Sequence, residues 1–76
     1  MPTMETTGLV MRQRMTEAGE YEIIIWAHEC DIMAKCNRPM QIGRHMHIKM
    51  LLAGWDHWNG RSTLCGKIIE FWPTRI

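Results

Sequence analysis

Residues 44–72, RHMHIKMLLAGWDHWNGRSTLCGKIIEFW, hold two strand patterns around one tight turn. Met46, Ile48, Met50 and Leu52 fall on one side of an alternation that sets His45, His47 and Lys49 on the other, which is the period of a half-buried strand. Asn59-Gly60 is a hairpin signal, because a two-residue type I′ turn needs positive φ at both central positions. STLCGKIIEFW then reads as the closing strand, with Gly66 as a bulge or bend. The expectation is a hairpin with strands around residues 44–54 and 62–72. Its tip carries more than a turn needs: Trp55, His57, Trp58 and Arg61 crowd around Asn-Gly.

Upstream, GLVMRQRM sets Leu9, Met11 and Met15 on one face and Val10, Arg12 and Arg14 on the other. TEAGE supplies a turn, and YEIIIWAHE follows, rich in β-branched and aromatic residues. CDIMAKC is short enough to be either a helical turn or a strand, and is read as a third strand. RPMQIG is a connection closed by Gly43. Residues 1–7 are polar and aperiodic and read as a loose, flexible tail, leaving residues 8–76 as a single domain. Five short strands with turn signals predict an all-β chain folded as a small barrel or sandwich. The strand order favours an OB-fold barrel, with an SH3-like barrel as the alternative.

The chain has 76 residues and a formal net charge of +1. A chain this long buries roughly 60% of its unfolded surface, enough for one marginal domain. No apolar run approaches the ~18 residues of a membrane span, and the N-terminus has no secretory pattern. Three cysteines are too few and odd in number for a disulfide framework, which suits a reducing, cytoplasmic setting. No phosphate loop, HExxH or nucleophile elbow is present, and Asp56-His57 is better read as a turn contact than as a dyad. The chain is therefore expected to be a non-enzyme without a cofactor.

Two stretches carry a family resemblance. IGRHMHIKMLLAGWDHWNGRSTLCGKIIEFW resembles the second half of bacterial single-stranded-DNA-binding OB proteins. TGLVMRQRMTEAGEYEIIIWAHE resembles the opening hairpin of primosomal replication protein N and its single-strand-binding relatives. The chain departs from that family in its shorter link between the third and fourth strands and in being less basic. The resemblance implies an OB fold, single-stranded DNA binding in replication, recombination or repair, and contact with other proteins of those processes. A homodimer, known in that family, would cover an outward Ile24 and Trp26.

In an OB barrel the face of strands two and three and the loop between strands four and five meet the oligonucleotide. Aromatic rings there stack on bases while cations meet phosphates. Trp55, His57, Trp58 and Arg61 fit that chemistry, Trp26 extends the platform, and Lys35, Lys49, Arg12 and Arg14 are the neighbouring cations. Each has a plainer reading. Either tryptophan of the hairpin can fold back to cap the barrel, and Arg12 and Arg14 can be a solvated strand face. The eight methionines are expected to fill core gaps. Cys30, Cys36, His45 and His47 invite a zinc reading. An extended CDIMAKC, however, sets its two cysteines about 20 Å apart at ~3.3 Å per residue, so no metal is expected. The rival function is a protein-interaction module or inhibitor, of the kind a phage or plasmid encodes, with the tryptophan hairpin as hot spot. The low net charge favours that rival.

Overall fold

The computed structural model describes residues 2–58 and 60–74. Its strands are β1 (Thr3–Met15), β2 (Tyr21–Ala27), β3 (Cys30–Cys36), β4 (His45–Trp58) and β5 (Arg61–Pro73). They close into a barrel in the order β1-β2-β3-β5-β4. β3 and β5 run parallel, and the other neighbours are antiparallel. A first strand shared between β2 and β4, with a parallel β3–β5 seam, is the arrangement of an OB-like small barrel rather than of the SH3-like alternative. CDIMAKC is a strand, so Cys30 and Cys36 stand at its opposite ends, the first exposed and the second buried.

β1 begins earlier than its polar composition suggests. Thr3–Thr7, expected to be a loose tail, are strand residues paired with Leu51–His47 of β4. The β4 ladder supplies hydrogen-bond partners for their backbone whatever their side chains prefer. Leu9 pairs with both His45 of β4 and Trp26 of β2. From Val10 onward β1 pairs with β2, and between Val10 and Arg12 the register slips by one residue, leaving Met11 as the extra one. A bulge breaks the two-residue alternation. Thr6, Gly8 and Val10 are buried, whereas Met11, Arg12 and Arg14 are exposed. The grouping of Val10 with Arg12 and Arg14, and of Met11 and Met15 as its opposite, fails at this bulge. Where β1 leaves β4, the amide of Val10 donates to Arg44 O at 3.0 Å and its carbonyl accepts from the Gly43 amide at 2.8 Å. The Met40 amide donates to Gln13 Oε1 at 2.6 Å, so the β3–β4 connection is tied down along the second half of β1.

Inside the barrel, Val10, Ile23, Ile25, Ile48 and Met50 are wholly buried, with Ile32, Ala34, Met46 and Ile68 around them. Methionine fills this core only in part. Met40, Met46 and Met50 are buried, but Met11 and Met15 are 48% and 61% exposed. Gly8 and Gly66 make the closure possible. A Cβ on Gly8 would lie 2.8 Å from the carbonyl oxygen of Trp26, and one on Gly66 would overlap the Leu51 carbonyl and the Met50 methyl. Gly66 is thus an inward close approach opposite Leu52 rather than a bulge. The β4–β5 irregularities leave Ala53 and Ile69 as the extra residues.

β4 and β5 extend to Trp58 and Arg61, beyond the expected limits, and these two residues pair across the hairpin end. Gly60 has φ +74°, as the expected turn requires, while Asn59 lies outside the described residues. The β2–β3 turn is His28-Glu29, with φ of 51° and 62°, although neither residue favours the left-handed region. Each such residue costs about 1–2 kcal/mol. Glu29→Gly is therefore expected to stabilise the protein by about 1 kcal/mol. Gly66→Ala should destabilise it by about 2–3 kcal/mol through overpacking against a backbone carbonyl. Urea unfolding midpoints check both, and unchanged midpoints would refute the turn geometry and the close approach respectively.

Candidate nucleic-acid interface

The outer face of β1, β2, β3 and β5 is organised by register into three rows that cross the strands. Directly paired residues point to the same side, with neighbours about 4.8 Å apart across strands and successive rows about 6.7 Å apart along them. The first row is Arg14–Glu22–Lys35–Lys67. The second is Arg12–Ile24–Met33–Cys65, and the third is Leu9–Trp26–Asp31. A charged row, an apolar row and a row with an indole ring thus lie side by side. The bulge at Met11 makes this possible, because it sets Arg12 and Arg14 on the outside.

Two open grooves follow these rows. One, of about 400 Å³, is lined by Arg12, Gln13, Arg14, Glu22, Ile24 and Met33. The other, of about 710 Å³, runs over Met33, Lys35, Cys65 and Lys67 to Leu51, Ala53 and Asp56 on β4. Glu22 and Met33 line both. Ile24 is only 8% exposed although it points outward, and Trp26 is 38% exposed beside it. Arg14 is engaged: its Nε donates to Glu22 Oε1 at 3.0 Å, with the arginine side chain 73% exposed and the glutamate side chain 18%.

Of the residues singled out from sequence, Arg12, Arg14, Trp26 and Lys35 come together on this face. Lys49 does not. It lies on β4 between Glu5 of β1 and Glu70 of β5, in a carboxylate environment that offsets its charge. Trp55 is 70% exposed, which excludes a ring folded back as a barrel cap. It pairs with Leu64, on the phase that points inward lower in the hairpin. Trp55 therefore faces the barrel mouth rather than the groove that Asp56 and Cys65 line. The side chains of His57, Trp58 and Arg61 lie outside the described residues.

Sequence reasoning missed Glu22, Met33 and Lys67. The last two join the site through the β3–β5 pairing, which has no local sequence signal. It also missed Trp72, 44% exposed and stacked on His47 with ring centroids 4.6 Å apart. His47 Nδ1 shares a 3.1 Å hydrogen bond with Thr7 Oγ1, and its Nε2 lies 3.7 Å from Glu5 Oε2. Those contacts fix one ring of the His45/His47 pair. Among the described residues no group of three or more His, Cys, Asp or Glu is placed to hold a metal ion, and no helix is long and apolar enough to cross a membrane.

No protein-family model matches the chain, and neither does any curated protein. The geometry of the site therefore carries the functional reading.

Cys65, in the apolar row, has its thiol pushed up from the ordinary range, first by burial and then by the carboxylates of Asp56 and Glu22, with Lys35 opposing them. The raised value means the neutral thiol persists to higher pH, and the thiolate is the reactive form. At neutral pH iodoacetamide should alkylate the exposed Cys30 first and spare the buried Cys36. Cys65 should react slowly, its rate rising only at more alkaline pH than that of an exposed thiol. Peptide mass spectrometry of a pH series checks the order, and early modification of Cys65 would contradict the burial and charge described around it.

Proposed function

We propose that the protein is a non-catalytic, cytoplasmic single-stranded nucleic-acid-binding protein, acting on DNA in replication, recombination or repair. The observation that carries this reading is the parallel arrangement of a cation row and an apolar row on the face where OB folds take oligonucleotides. Lys35, Lys67 and Arg12 are set to meet phosphates, while Met33 and the Trp26 ring offer surface for bases. Stacking of this kind tolerates any base, because every base has a π-face. The resemblance to primosomal replication protein N and its relatives supports the same reading, as does the OB-like strand order.

A second reading, a protein-interaction module, is favoured by Trp55. Its ring is 70% exposed and stands on the mouth side of the hairpin, away from the cation row. Exposed tryptophans are enriched among interface hot spots. Salt separates the two functions, since counterion release makes nucleic-acid affinity fall steeply as salt rises.

The test uses tryptophan fluorescence with a dT oligomer of about 12 nucleotides, within the range one OB fold covers. Trp26→Ala should weaken binding roughly five- to a hundred-fold, as loss of one stacked base does. Lys35→Ala and Lys67→Ala should each weaken it mildly and reduce the slope of log affinity against log salt by about 0.7. Absence of binding by the parent protein at low salt would overturn the nucleic-acid reading.

A further inference from the structure

The charged row is not uniformly basic. From β1 to β5 it reads Arg14, Glu22, Lys35, Lys67, so one carboxylate stands in line with three cations. At about 4.8 Å per strand the row spans roughly 14 Å. Glu22 is the most shielded charge at the Arg14 end, and its Oε1 accepts from Arg14 Nε at 3.0 Å. Its other cross-strand neighbour is Lys35. The same carboxylate lines both grooves, so any polyanion lying along them meets it.

We propose that Glu22 is a built-in competitor for the phosphate backbone: it occupies Arg14 in the free protein and must yield Arg14 to a phosphate when a strand binds. The inference rests on the nucleic-acid reading above and gives it a direction and a limit. The strand crosses β1, β2, β3 and β5 along the row, with phosphates at Arg14, Lys35 and Lys67 and bases over Met33. Affinity is held down at the Arg14 end, because the cation gained by the phosphate is first lost by Glu22. A fixed negative charge also remains beside the bound backbone. Glu22 thus keeps binding weak and reversible.

Glu22→Gln keeps the shape of the side chain and removes only its charge. It should bind the dT oligomer about five- to tenfold more tightly at low salt, because Arg14 is then free of its carboxylate before the strand arrives. Arg14→Gln should change binding less than twofold in the parent protein but reverse most of the gain in the Glu22→Gln background. Glu17→Gln, in the β1–β2 turn and off the row, serves as the charge control and should bind as the parent does. The Arg14→Gln arm keeps the test informative should Glu22→Gln prove unstable, because a large loss on removing Arg14 alone would mean that Glu22 does not occupy it. Parent binding with no gain in Glu22→Gln would overturn the role of Glu22 and leave the binding function standing. A parent and a Glu22→Gln variant that both fail to bind would overturn both.

Discussion

Closure of the barrel through β1 is the constraint on which the rest depends. One strand of thirteen residues must satisfy β4 with its first half and β2 with its second. A regular strand would keep its alternation through that change of partner. Thr6, Gly8 and Val10 point inward, so regular alternation would carry Arg12 and Arg14 inward after them. Two unpaired guanidinium groups in an apolar core would cost several kcal/mol each. The extra residue at Met11 inverts the phase at the point where the partner changes, and Gly43 and Arg44 take up the backbone groups of Val10 there. Gly8 then lets β1 pass close over Trp26. Core and surface are thus decided by the same few residues.

That surface has an electrostatic character of its own. The chain carries a formal charge of only +1, and acids stand among the cations rather than apart from them. Glu22 answers Arg14, and Glu5 and Glu70 flank Lys49. Long-range steering of a polyanion is correspondingly weak. On the proposed nucleic-acid reading, affinity on this face would come from short-range fit between the apolar row and bases, with Lys35 and Lys67 giving local attraction. Trp55, on the other side of the hairpin, provides a separate exposed ring whose chemistry does not depend on those cations.

The parts of this design that the sequence displays are those with a local signal. The β4–β5 hairpin was legible because Met46, Ile48, Met50 and Leu52 alternate without interruption and Asn-Gly marks the turn. The third strand and the barrel order were legible from strand count and turn spacing. Thr3–Thr7 were not, since their strand conformation comes from pairing with β4 rather than from their own preference. Neither was the His28-Glu29 turn, whose residues take a conformation that neither favours. The bulge at Met11 has no local mark, so Val10 was grouped with the two arginines. Within the site, Arg12, Arg14, Trp26 and Lys35 could be picked out by residue type on the first three strands. Lys67, Met33 and Glu22 required the register, and Lys49 was misgrouped because its carboxylate neighbours come from distant strands.

The extra residue in β1 sets which side chains form the core and which form the candidate site. Deleting Met11 tests this most directly, with Met11→Ala as the partner variant that keeps the residue count. Met11→Ala should unfold in urea within about 0.5 kcal/mol of the parent, as exposed substitutions do. The deletion should lose the cooperative transition, because its register drives Arg12 and Arg14 toward the core. A deletion variant with the parent's unfolding midpoint and slope would show that the bulge does not set the phase of β1.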